Sequence, residues 1–202
     1  ASFRDHTYDL VAGLQGDFAP ATGLLPDFVK DPGGTTPAPV AGGFLEGPND
    51  GRYYYNACRD PWRLATDVLG AGEPRARLAV QRINAWIRSA TGGDPSAIRS
   101  GYKLDGTPLG GSDYLSMAFV APLGVGAMVD GANQAWLNAI WDLVVATPAS
   151  TDGYYENTLK LLSMIAMSGN YWVPERVAAG PCIAPTATPA PTSTPTPTVT
   201  PV

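Results

Sequence analysis

The sequence predicts an all-α protein, a two-layer ring of helical hairpins of which this chain supplies about half, and two features lead there. From residue 56 to residue 168, apolar side chains recur at helical spacing, and clearly amphipathic segments alternate with segments that are apolar nearly all round. In such a ring the outer helices keep one wet face, while the inner ones are covered on both sides.

A first helix is expected over residues 3–14, with Tyr8, Val11 and Leu14 on one face. Residues 16–52 are dense in Gly and Pro, and a run of that length without regular structure is commonly functional, so it is read as a long active-site loop. Helices follow from Asn56 onward. Residues 75–90 put Ala79, Ile83, Trp86, Ile87 and Ala90 on one stripe and Arg75, Arg77, Arg82 and Arg88 elsewhere. Residues 114–129 carry no charge between Ser116 and Val129, which predicts burial on every side. Residues 133–146 are amphipathic again, with Trp136, Leu137, Ile140, Trp141 and Val144 as the stripe, and residues 155–168 return to a largely apolar helix that stops at Gly169. A short strand is expected near residues 102–104. A ring of six hairpins needs about twelve helices and roughly six are counted here, so the unclosed ring would leave apolar surface open.

Composition removes several classes of function. Net charge is −5, and the 13 Lys and Arg are scattered, which argues against a nucleic-acid partner. No apolar run reaches the ~18 residues that a membrane span requires. One histidine, His6, and two cysteines, Cys58 and Cys182, are too few for the usual zinc clusters, so no metal is expected. Glycine-rich pieces such as GLQGDF and GTPLGG lack the Lys-Ser/Thr of a phosphate loop, so no cofactor is expected either, and His6 has no serine elbow near it. Cys58 and Cys182 could form a disulfide in an oxidising compartment or remain two thiols.

Residues 1–178 read as one domain portion and residues 179–202 as a disordered Pro/Thr linker, since this composition cannot offset the entropy of ordering. Linkers of this kind usually tether a domain to a further module outside the cell, so a secreted protein is expected. The chain opens at Ala1 with neither a methionine nor an apolar leader, which is read as a start that is processed or lies further upstream.

The chemistry concentrates in residues 44–63, FLEGPNDGRYYYNACRDPWR. Two acids (Glu46, Asp50), three tyrosines (Tyr53, Tyr54, Tyr55), Asn56 and Arg59 fall in the loop before a helix and in its first turn. Sugar sites are built from such parts: aromatic faces cover pyranose rings, amides and guanidinium groups fork to hydroxyls, and carboxylates move protons. The plainer alternative makes the tyrosines interhelix packing and the acids a solvated rim. Trp62, Trp86, Trp136 and Trp141 sit at core spacing, and Asp94 and Asp105 are turn residues by type.

Three blocks, YYYNACRDPWRLATD, INAWIRSATGGDPSAIRSGYKLDG and LKLLSMIAMSGNYWVP, resemble in their order and spacing the C-terminal portion of glycoside hydrolase family 8. That resemblance implies an (α/α)6 barrel and an endo-acting, inverting hydrolase of β-1,4-linked polysaccharide, chitosan or β-glucan. In one branch of that family an aspartate after the motif tyrosine is the general base; here Tyr55, Asn56 and Arg59 match, and asparagine cannot take the proton. The chitosanase/lichenase-like branch, which also has asparagine there, implies a base in the loop upstream: Glu46, with Asp50 as the alternative. Asn56 and Arg59 would position water or sugar, and Tyr55, Tyr54 and Tyr155 would line the subsite. No segment matches the family's general acid, and none of Glu73, Glu156 or Glu175 has the right context, so the chain alone is expected to be inactive. A non-catalytic carbohydrate-binding or scaffold protein with a degenerate barrel is the rival expectation.

Overall fold

A computed structural model describes residues 2–171. The linker reading of residues 179–202, Cys182 and Glu175 lie outside the described residues. Six α-helices occupy the described part: α1 (Phe3–Asp17), α2 (Asp60–Ala71), α3 (Pro74–Ala90), α4 (Met117–Ala127), α5 (Gln134–Ala146) and α6 (Tyr154–Met167). The all-α expectation holds, and each expected helix lies within a few residues of its place.

α1 starts on a capping box: the Ser2 hydroxyl accepts from the Asp5 N–H, and the Asp5 carboxylate accepts in return from the Ser2 N–H at 3.0 Å. Its inner face, Tyr8 and Leu14, rests on α3. Tyr8 and Arg4 reach Asp67 of α2, and Arg4 also pairs with Glu73, the N-cap of α3. This network fastens the three helices at one end. Glu73 is therefore a structural acid, held down to about 2, chiefly by its side-chain hydrogen bond with Arg75.

α4 is the centre of the molecule. All eleven of its residues are buried, as the absence of charge demands, and it packs against α2, α3, α5 and α6. α5 turns Trp136, Ile140 and Val144 inward at i, i+4 and i+8. On α3, Ala79, Ile83 and Ile87 are buried as expected, but Ala90 is exposed because the helix ends there, one turn beyond its packing partners.

α6 departs from the expectation for an inner helix. Leu159, Ser163 and Ala166 face α4, while Tyr154 stays 88 % and Leu161 60 % exposed, so only one side is covered. It stops at Gly169, whose φ of 75° lets the Gly169 and Asn170 N–H groups turn back onto the carbonyls of Ala166 and Ile165.

The strand content also differs. Tyr102 makes only single-residue bridges, to Tyr53 and to Pro108, too isolated to propagate a strand. Instead a two-residue antiparallel pair, β1 (Val29–Lys30) with β2 (Ala38–Pro39), sits inside the Gly/Pro-rich segment. That segment is therefore an ordered shelf beside the N-terminus of α2.

Candidate functional site

The shelf is ordered by carboxylates that collect backbone N–H groups. Asp50 is 3 % exposed and accepts from the N–H of Leu45 (2.7 Å), Glu46 (3.2 Å) and Gly47 (2.8 Å). Burial works to raise its pKa, but these bonds outweigh that and hold it below the usual carboxylate range. Gly42 and Gly51 let the two limbs of the loop close up: a Cβ at Gly51 would lie 2.0 Å from the Val40 carbonyl oxygen, and one at Gly42 2.5 Å from that of Pro48. The result is a tight loop with Glu46 at its tip.

Glu46 is exposed yet points back to the helix: its Oε2 accepts from Asn56 Nδ2 at 2.8 Å. Asn56 Oδ1 in turn accepts from Arg59 Nη2 at 2.7 Å, and Arg59 Nε donates to the Asn56 carbonyl at 3.1 Å. Arg59 thus fixes which way the amide faces, with its NH2 toward Glu46. The short 3-10 turn Ala57–Arg59 leading into α2 makes this geometry possible, bringing Arg59 over the residue three before it.

Tyr54 and Tyr55 stand beside the pair, edge to face at 4.9 Å. Phe119 of α4 underlies Tyr53, Tyr54 and Tyr55, with ring centroids at 6.0, 6.4 and 5.1 Å. The Tyr55 hydroxyl meets that of the exposed Tyr114 at 2.9 Å. Tyr155, from α6, donates to the Tyr55 carbonyl and packs its ring 5.8 Å from that of Tyr55, so it props Tyr55 from behind. Tyr53 is fully buried and belongs to the core.

Cys58 is a buried thiol beneath the site, pushed up to about 12 by burial, with Sγ donating to the Tyr55 carbonyl at 3.3 Å. A thiol so protonated is a packing group and not a nucleophile. Among the described residues, no group of three or more His, Cys, Asp or Glu side chains could hold a metal ion, and no helix is long and apolar enough to cross a membrane.

Glu46, Tyr54 and Tyr55 line one concavity, Asn56 and Arg59 line a second that also borders Asp27, and the hydrogen bonds from Glu46 through Asn56 to Arg59 join the two, with Tyr155 behind Tyr55. Asp50 lines the Glu46 concavity too, but its oxygens are spent on the loop backbone. Three contributors escaped the sequence reading. Phe119 looks like any other apolar residue of α4, and Tyr114 falls at the start of the segment expected to be buried, whereas α4 begins at Met117 and leaves Tyr114 exposed. Asp27 could have been found by asking what caps the N–H groups ahead of α2.

No protein-family model matches the chain. It is 47 % identical over 172 residues to a beta-glucanase of Niallia circulans, covering 85 % of this chain and 41 % of that protein. Among solved structures, a beta-1,3-1,4-glucanase from Paenibacillus sp. X4 superposes with a TM-score of 0.78 at 44 % identity, over 84 % of this chain and 44 % of that one. A GH8 xylobiose complex from Teredinibacter turnerae superposes with a TM-score of 0.64 at 22 % identity, over 83 % of this chain and 39 % of that one, and speaks for the fold alone. The chain spans about two fifths of the length of these relatives.

Proposed function

Because the chain belongs to glycoside hydrolase family 8, we propose that the longer protein it is part of is an inverting endo-β-glucanase in which Glu46 is the general base. The observation that carries this reading is the run of hydrogen bonds from Arg59 through Asn56 to Glu46, which aims an exposed carboxylate over the tyrosine-lined concavity. Glu46 takes a proton from a water beside this contact, through the carboxylate oxygen that Asn56 leaves free. The oxygen of that water attacks the anomeric carbon while a carboxylic acid on the opposite face protonates the departing glycosidic oxygen. The two carboxyl groups of an inverting pair stand about 6.5–9.5 Å apart to leave room for the water. Glu73 is locked by Arg75 and Arg4 at the start of α3 and lines neither concavity, so the acid is proposed to come from the part of the relatives' length that this chain does not span.

The proposed substrate is β-glucan containing 1,4 links, supported by the 44–47 % identity to glucanases. Chitosan is the competing substrate. Action outside the cell is proposed from the Pro/Thr-rich composition of residues 179–202, with a further module beyond them.

The test is Glu46→Gln in the full-length protein, assayed on mixed-linkage β-glucan, β-1,4-glucan, xylan and chitosan. Turnover on β-glucan is expected to fall about 10²–10⁴-fold with glucan binding retained, as for loss of a general base. In the unaltered enzyme the first-formed reducing end is expected to carry the inverted anomer by NMR. Full activity of the Gln variant, or a product of retained configuration, overturns the assignment.

A further inference from the structure

Asp27 occupies the joint between the loop that carries Glu46 and the segment that carries Asn56. Its Oδ1 alone accepts three backbone N–H groups, from Tyr54 (2.9 Å), Asn56 (3.1 Å) and Ala57 (2.7 Å). Those donors belong to the last residues before the 3-10 turn and to its first residue, so the carboxylate sits where a helix N-terminus gathers unpaired N–H groups. Asp27's own backbone faces the other way. Its N–H donates to the Arg52 carbonyl at 2.8 Å, and the N–H of Phe28 donates to the Asp50 carbonyl at 2.9 Å. The Phe28 ring lies 6.4 Å from that of Phe44, two residues before Glu46.

These bonds form a closed circuit. The Asn56 N–H binds Asp27; the backbone at Asp27 and Phe28 binds Arg52 and Asp50; the Asp50 carboxylate binds the Glu46 N–H; and the Glu46 carboxylate binds the Asn56 amide. Removing any one link lets the last bond of the circuit find a different length. Each member serves two links, and Asp27 serves its two through its side chain, which takes three N–H groups on one oxygen, and through its backbone. It also borders two concavities, that of Glu46, Tyr54 and Tyr55 and another lined by Arg59, Asp60 and Arg63.

We propose that Asp27 is a positioning residue of the hydrolytic site, holding the Glu46 loop and the Tyr54–Ala57 backbone in one register so that Glu46, bound to Asn56 through one oxygen, keeps the other for the water. This rests on the general-base reading of Glu46. Asp27 touches no reacting atom. Its effect on turnover comes through the placing of Glu46, and a misplacement of about 1 Å can cost about 10²-fold. Asparagine at position 27 keeps an acceptor oxygen but loses the charge, and charge-assisted bonds are about twice as strong as neutral ones, so it should restore part of the function.

The experiment compares Asp27→Ala and Asp27→Asn in the full-length enzyme on β-glucan, with KM, kcat and thermal midpoint measured for each. The Ala variant is expected to lose about 100-fold in kcat with KM within about threefold, and the Asn variant about tenfold, with its midpoint near that of the parent. If the Ala variant does not fold, the Asn variant decides alone. The inference is overturned if the folded variants keep kcat within twofold, or if kcat falls only as far as the folded fraction does. Failure of the base reading looks different: there Glu46→Gln itself stays active, whereas here Glu46→Gln is inactive while both Asp27 variants turn over normally.

Discussion

In α4 every residue is apolar and buried, and its place is set by many small contacts with α2, α3, α5 and α6. Between Asp27 and Arg59, by contrast, the chain is mostly loop, and its place is set by a few carboxylates that each hold several N–H groups. Apolar contacts are individually weak and numerous, so a change in α4 is shared by the whole core. A carboxylate cage is a point contact, so a change there is felt locally. The contrast implies that substitutions in α4 act on stability and those in the shelf act on turnover.

Phe119→Ala should have the largest effect, because Phe119 belongs to both regions. It is fully buried in α4 and is the floor for three tyrosine rings. Truncating a buried phenylalanine costs about 3–5 kcal/mol, read as a shift of the urea midpoint at unchanged slope. A loss under about 1 kcal/mol would mean that the tyrosines do not depend on α4. Gly126→Ala comes next. A Cβ there would meet Asn84 Nδ2 at 2.3 Å and Val80 Cγ2 at 3.1 Å, with Asn84 pinned in turn by the Trp136 indole N–H at 3.1 Å. Overpacking of this kind costs about 1–3 kcal/mol in the same measurement, without altering KM.

Asp50→Asn tests the other side of the contrast. It removes the charge and replaces one accepting oxygen with an NH2 that cannot accept, so at least one of the Leu45, Glu46 and Gly47 N–H groups loses its partner, and turnover of the full-length enzyme should fall about tenfold while the thermal midpoint moves by only a few degrees. The sign of the pH effect follows from the lowered pKa. The contribution of Asp50 to stability is present above its ordinary pKa of 3.8 and is lost as the pH falls through the lower folded value, so the variant should be less sensitive to acid than its parent. Equal loss of midpoint and turnover would erase the distinction between the regions.

Much of the helical layer was legible because periodicity reports burial directly. Trp136, Ile140 and Val144 announce the inward stripe of α5, and the uncharged run of α4 announces a helix with no wet face. Tyr55, Asn56 and Arg59 were legible because they lie within five residues of one another, inside a recognisable motif. What could not be read was the direction of backbone N–H groups. Asp50 and Glu46 are both acids of one loop, and only the folded backbone makes one a staple and leaves the other open. Asp27 is 30 residues from Ala57, and nothing in LLPDFV says that its carboxylate turns toward that N–H. Tyr102 misled for the same reason: a short strand is expected at residues 102–104, but its two partners, Tyr53 and Pro108, are single residues of separate loops.

Asp60 gives the smallest expected effect and the finest test, because it stands where the two regions meet, as the first residue of α2 and a wall of the concavity with Arg59 and Arg63. Burial raises its pKa to about 7, the nearby Asp27 charge adds to that, and Arg59 and Arg63 pull the other way. Its ordinary value is 3.8, so between about pH 4 and pH 7 the folded protein holds a proton that the unfolded chain has released. Stability therefore declines as the pH rises through that window, and the full penalty stands above pH 7. Asp60→Asn removes the titration and keeps the shape. It should leave the midpoint at pH 4 unchanged and raise stability at pH 8 by on the order of 1 kcal/mol, less than the full shift implies because the side chain keeps some exposure. Thermal midpoints of parent and variant at the two pH values decide it. If the difference is the same at both, Asp60 is already ionised in the folded protein, and burial at the start of α2 does not hold a proton on it.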